Sequence, residues 1–218
     1  MRNFLNILVA ILFFGCANVP APINSHFNKG VEHYDNQDYA KAIEEYKLAL
    51  RQNTNDTFAM YNLAVVYQDQ GKTDQAEKLY QDVLKIIEDS FSRINLAGIF
   101  YNKGNHEEAF EQLETAANKN PDSAYPLSAL GEFKEREGKL AEAEKNYLKA
   151  LSIDNRHALT HYRLGRLHLK QEKFATGVEH LRQASDLETE NPAYLETLGA
   201  EYERSGDYLE AVNFFERV

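Results

Sequence analysis

Residues 124–157 read AYPLSALGEFKEREGKLAEAEKNYLKALSIDNRH, and this stretch holds one complete copy of a motif that repeats along the chain. Counted from Ala124, small residues stand at position eight (Gly131) and position twenty (Ala143), and a large aromatic residue stands at position twenty-four (Tyr147). Gly138 at position fifteen separates two amphipathic segments, as expected where a helix ends. The stretch therefore predicts two helices joined by a short turn, with small residues where the helices touch.

The same register continues over residues 23–218. The units are 23–56, 57–89, 90–123, 124–157, 158–191 and 192–218, of which the second is one residue short and the last is incomplete. Position eight is occupied by Gly30, Ala64, Ala97, Gly131, Gly165 and Gly199. Position twenty-four is occupied by Tyr46, Tyr80, Leu113, Tyr147, Leu181 and Phe215. Position fifteen is glycine in four units, whereas the first unit has Gln37 there.

This pattern resembles the tetratricopeptide repeat, and the resemblance covers residues 23–218. It implies an all-α fold, a right-handed superhelical solenoid of antiparallel helix pairs with about six units. The first helix of each pair, called helix A here, would line a concave face. Because no unit can bury its apolar side alone, stability is expected to come from stacking between neighbouring units.

The N-terminal residues MRNFLNILVAILFFGC carry an apolar run, Phe4–Phe14, that is too short to span a bilayer and suits a secretory signal. Gly15 and Cys16 resemble a bacterial lipoprotein signal, in which the cysteine is lipidated, although Phe13 and Phe14 depart from the usual pattern. We therefore predict a lipoprotein signal peptide at 1–15, a lipidated Cys16 and a linker at 16–22. Ordinary secretion with cleavage near the same place is the alternative.

The residue after the cysteine bears on localisation. Ala17 follows the cysteine, where an aspartate would be the signal for retention in the inner membrane. If the host has two membranes, the resemblance therefore implies sorting to the outer membrane. We expect a protein of the cell envelope that is lipid-anchored, in the outer membrane, and faces the periplasm.

Charge and motif content argue against several classes of protein. The formal net charge is −10, which disfavours binding to phosphate backbones, so no nucleic-acid partner is expected. The sequence has no phosphate loop, dinucleotide fingerprint or HExxH motif. The histidine pairs His26/His33 and His161/His168 are seven residues apart, too far along a helix to share one ion. We predict no catalytic residue, metal, cofactor or small-molecule substrate, and hence no enzyme.

The concave face is the remaining candidate site. In the repeat family it is formed by positions two, five, nine and twelve of helix A. These positions predict a partner-binding groove made of Phe27, Val31, Tyr34, Phe58, Tyr61, Val65, Phe91, Ile94, Tyr101, Tyr125, Tyr162 and Arg166. The carboxylate clamp of some family members is missing, since Phe27 and Val31 replace its first lysine and asparagine. The groove would suit an apolar or aromatic protein segment, unless these rings pack between neighbouring A helices instead.

We therefore expect an envelope-anchored scaffold or adaptor that binds another protein. A similar architecture occurs in type IV pilus biogenesis lipoproteins, which suggests a role in assembling a surface machine. One alternative is the recognition region of a larger enzyme, such as a glycosyl- or sulfotransferase, with its catalytic domain beyond Val218. A cytosolic scaffold is a further alternative if the leader does not function.

Overall fold

A computed structural model of the chain describes residues 25–218. The predicted signal peptide at 1–15, the predicted linker at 16–22 and the predicted lipidation site Cys16 lie outside the described residues. Throughout residues 25–218 the regular structure is helical and no strand occurs, which confirms the predicted all-α class. The twelve helices are α1 Ser25–Asp35, α2 Tyr39–Gln52, α3 Thr57–Asp69, α4 Thr73–Ile86, α5 Ser90–Asn102, α6 His106–Lys119, α7 Ala124–Arg136, α8 Leu140–Ile153, α9 Ala158–Lys170, α10 Phe174–Leu187, α11 Pro192–Ser205 and α12 Tyr208–Phe215.

The helices belong to two compact parts of the chain, one ending at Ile99 and the other beginning at Phe100. These parts are called unit one and unit two below, and the copies of the motif, of about 34 residues each, are called repeats. In unit one, α1 pairs with α2 and α3 pairs with α4, while α2 packs on α3. In unit two, the pairs are α7/α8, α9/α10 and α11/α12, and α6, α8 and α10 each pack on the helix that follows. Each unit is therefore a stack in which the second helix of one pair supports the first helix of the next. None of the described helices is both long and apolar enough to cross a bilayer.

The contact between the helices of a pair depends on the small residue at position eight. A methyl group built on Gly131 would lie 2.5 Å from Cε1 of Tyr147, and one on Gly30 would lie 2.6 Å from Cε1 of Tyr46. Both tyrosine rings are fully buried. In these two repeats the ring at position twenty-four occupies the space that a side chain at position eight would need, in agreement with the small residue that the sequence pattern has there.

The turn inside each pair needs a left-handed residue at position fifteen. Gly71, Gly104, Gly138 and Gly206 have φ between 71° and 86°. Gln37 and Glu172 hold the same turn with φ of 59° and 61° although they carry side chains. Such a conformation costs a residue other than glycine about 1 kcal/mol.

Candidate functional site

The predicted groove residues of unit one differ in how far they are exposed. Phe58 is 39% exposed, and the others, apart from Phe27, are half-buried. We call these seven residues the unit-one A-face: Val31, Tyr34, Phe58, Tyr61, Val65, Phe91 and Ile94. Phe27 is only 5% exposed and packs against the ring of Tyr46, with centroids 5.9 Å apart. Its side chain lies inside the α1/α2 pair and leaves little surface for a partner.

The hydroxyl group of Tyr34 joins two neighbouring A helices. It donates a hydrogen bond to Oδ2 of Asp69 over 2.7 Å, from the end of α1 to the end of α3. The Tyr34 ring also lies 5.9 Å from the ring of Tyr39 at the start of α2. Burial is the main cause that raises the pKa of Tyr34, followed by the hydrogen bond to Asp69. Tyr34 therefore contributes to the stacking as well as to the surface.

Tyr61 has the same double role one repeat further on. Its hydroxyl accepts a hydrogen bond of 3.1 Å from Nδ2 of Asn95, which links α3 to α5. Its ring packs 5.6 Å from that of Tyr80. Burial, and then the charge of Asp89, raise the pKa of Tyr61, whereas the bond from Asn95 opposes this shift. The hydrogen bonds of Tyr34 and Tyr61 to neighbouring A helices agree with packing between repeats, and both residues remain half-buried. Their role in binding a partner stays a prediction.

In unit two, the predicted site residues are each engaged by their neighbours. Tyr101 stacks on His106 with centroids 4.2 Å apart, and Tyr125 meets the edge of His157 at 4.3 Å. Tyr162 packs 4.7 Å from Tyr194, and the guanidinium of the exposed Arg166 lies 5.4 Å from the Tyr162 ring. The hydroxyl of Tyr162 is also 3.3 Å from the Thr197 hydroxyl.

A charged network that sequence reasoning did not identify crosses unit two from α7 to α9. Arg163 donates to the carboxylate of Glu132 and, over 3.0 Å, to the hydroxyl of Ser128. Arg136 donates to the second oxygen of Glu132 over 2.6 Å. The Ser128–Arg163 spacing of 35 residues equals the Tyr34–Asp69 spacing. Pairs of polar residues about one repeat apart are the sequence signal that could have revealed these links.

Three histidines of unit two, His161, His168 and His180, lie close to one another. Nε2 of His161 donates to the backbone carbonyl of Asn155, so in the neutral ring Nδ1 accepts from Nδ1 of His180, 3.0 Å away. The ring of His168 lies 5.5 Å from that of His180. Burial is the main cause that lowers the pKa of His180. Over the part of the chain that the structure covers, no group of three or more His, Cys, Asp or Glu residues is arranged to hold a metal ion.

Comparison with known protein families agrees with this geometry. Three family models, each described as tetratricopeptide repeat, match residues 33–95, 126–157 and 162–218, which together make up more than half of the chain. The chain belongs to the tetratricopeptide repeat family. Repeats of this family are typically non-catalytic scaffolds that bind other proteins or peptides.

Individual similar proteins support the fold. One curated relative is anaphase-promoting complex subunit 3 of Schizosaccharomyces pombe, 25% identical over 113 residues, which are 52% of this chain but 17% of that protein. The structure of the APC/C hetero-tetramer Cut9–Hcn1 matches 88% of this chain and 38% of its own, with a TM-score of 0.68 and 16% identity. The structure of pilF from Pseudomonas aeruginosa matches 87% of this chain and 86% of its own, with a TM-score of 0.65 and 18% identity.

Proposed function

We propose that this chain is a non-catalytic adaptor of the cell envelope, anchored by a lipid on Cys16, that binds an apolar segment of another protein on the unit-one A-face. The observation that supports the proposal is the row of aromatic and aliphatic side chains on successive A helices, of which Phe58 remains 39% exposed. Tyr34 and Tyr61 fix this row, because their hydroxyls are held by neighbouring helices. A pre-formed surface of this kind loses little conformational entropy when a partner binds.

The energy available from such a surface is adequate for specific binding. Each apolar side chain that a partner buries fully contributes roughly 1.5–3 kcal/mol. Tyrosine rings add large contact area with few rotatable bonds, which suits them to recognition. Two or three partner side chains seated here would be enough for selective capture.

A photo-crosslinking experiment tests the binding role. A photo-reactive amino acid at position 58 should capture a discrete partner in membranes. The double variant Phe58→Ser/Ile94→Ser should lose that partner in co-purification while keeping its helical circular dichroism. Leu148→Ser is the matched control, since Leu148 is a 50% exposed apolar residue on α8 and outside the A-face. Equal capture by all three proteins would refute the A-face as the binding site.

Membrane anchoring is tested separately at Cys16. Palmitate should label the wild-type protein and fail to label Cys16→Ser. The variant should also leave the membrane fraction, because it lacks the acyl chains that would anchor the protein stably. Unchanged membrane association of an unlabelled protein would contradict lipid anchoring without affecting the A-face proposal.

The assembly we propose to test first is a surface machine such as a type IV pilus. The pilF structure has a similar repeat fold and is covered over 86% of its length. If the chain captured from position 58 belongs to no such machine, the adaptor role stands and the pilus role is withdrawn.

A further inference from the structure

We propose that the segment bound by the unit-one A-face carries a lysine or arginine, and that the carboxylate of Asp69 receives it. This inference rests on the proposed function, because it names the chemistry of the partner for the same surface.

Asp69 is placed beside the aromatic row. It is the last residue of α3, is half-buried, and accepts the hydrogen bond of 2.7 Å from the Tyr34 hydroxyl. Within residues 25–218 this neutral donor is its hydrogen-bonding partner, and no ion pair engages its carboxylate. Lys72, three residues further on, lies over the ring of Tyr67 instead, 5.6 Å from its centroid. The negative charge of Asp69 is therefore not balanced by a cation of unit one.

The Asp69 carboxylate is partly removed from water, so a cation beside it would stabilise its charged form. Burial raises the pKa of its carboxyl group, and the hydrogen bond from Tyr34 only partly opposes this rise. A carboxylate that has lost water without gaining an ionic partner is costly. A basic side chain from a partner would offset that cost and form a charge-assisted hydrogen bond.

The charge of Asp69 also acts on two nearby tyrosines. After burial, the causes that raise the pKa of Tyr34 and Tyr80 include this charge. Helix α3, TFAMYNLAVVYQD, contains no lysine or arginine.

In unit two an arginine lies near one of the buried tyrosines. The charge of Arg163 lowers the pKa of Tyr147, although burial dominates and raises it. The charges of Glu132 and Glu135 also raise this pKa. The unit-one A-face combines the Asp69 carboxylate, which has no ion-pair partner among the described residues, with tyrosine rings, whose faces also attract cations. An acidic segment would be repelled from this surface, whereas an apolar segment with one basic residue fits it.

The test is a selection of random linear peptides displayed on phage against the full chain. Peptides selected on the wild-type protein should pair lysine or arginine with aromatic or aliphatic residues. Binding of the best synthetic peptide should weaken about tenfold or more in Asp69→Asn, as expected when one partner of a close charge pair is removed. It should also weaken with rising ionic strength. Asparagine at 69 can still accept the Tyr34 hydrogen bond, so the variant removes charge and keeps the local geometry.

The control for charge is Glu44→Gln, which makes the same change at an exposed position of α2 and should leave binding unaltered. This inference would be overturned if the selected peptides need Phe58 and Ile94 but lack basic residues. It would also be overturned if they bind Asp69→Asn as tightly as they bind the wild-type protein. Either result would leave the proposed function intact. If no selected peptide loses affinity for Phe58→Ser/Ile94→Ser, the proposed function and this inference both fail.

Discussion

Replacing Gly131 with alanine tests the packing on which the whole fold depends. Gly131 lies in the middle of α7, where alanine would normally stabilise the helix. The added methyl group would, however, lie 2.5 Å and 2.6 Å from Cε1 and Cδ1 of Tyr147. Because this ring is fully buried and its hydroxyl donates to Glu135 over 3.3 Å, it must shift within a packed environment.

The magnitude follows from two opposing effects. Overpacking a core typically costs about 1–3 kcal/mol. The second repeat accommodates Ala64 beside Tyr80 with both residues fully buried, so the clash can be relieved and the cost should stay below the upper limit, at about 2 kcal/mol. Alanine is more favourable than glycine inside a helix by about 1 kcal/mol, which offsets part of the overpacking cost. Gly131→Ala should therefore lower the free energy of unfolding by about 1 kcal/mol.

Urea unfolding followed by far-ultraviolet circular dichroism measures this change. Gly98→Ala in α5 is the control, since a methyl group there would have no neighbour within 4 Å, and it should stabilise the protein by about 0.5–1 kcal/mol. In a Tyr147→Leu background, which imitates the Ala97/Leu113 pair of the third repeat, Gly131→Ala should no longer destabilise. If Gly131→Ala stabilised the chain as much as Gly98→Ala does, the proposed contact between positions eight and twenty-four would be refuted.

Further predictions concern the turns and the histidines. Gln37→Gly and Glu172→Gly should each raise the free energy of unfolding by roughly 0.5–1 kcal/mol in the same assay, because both residues hold positive φ angles. If neither variant is more stable than the wild type, these two turns are not strained. The pKa of His157 is lowered to about 4, chiefly by burial, so below about pH 6.5 the unfolded state binds a proton that the folded state does not. Stability should fall by ~3 kcal/mol in total as the pH drops from about 6.5 to 4, with a further loss from His180. His157→Asn should flatten the dependence of the urea midpoint on pH, and an unchanged slope would count against the buried neutral ring.

The sequence predicts the repeat framework well because it is encoded by residue size and backbone freedom at fixed spacing. Gly131 with Tyr147 could be identified as a contact from spacing alone, and the structure confirms it. The left-handed turn at Glu172 was missed, because its signal is a glycine that this repeat lacks.

The candidate site was less predictable. Position in the repeat selects Phe27 as well as Tyr34, yet one ring is buried within a helix pair and the other bridges to Asp69. That difference depends on rotamers and on side chains a full repeat away. Neither is contained in the local pattern.

The buried tyrosines also give the protein an optical probe of its own. The chain has 13 tyrosines and no tryptophan, and burial raises the pKa of the fully buried Tyr46, Tyr80 and Tyr147. These phenols should stay un-ionised in alkaline buffer until the repeats come apart, since only the unfolded chain ionises them near their ordinary pKa. Their share of the tyrosinate absorbance would then rise in step with alkaline denaturation, and unfolding could be followed without attaching a dye.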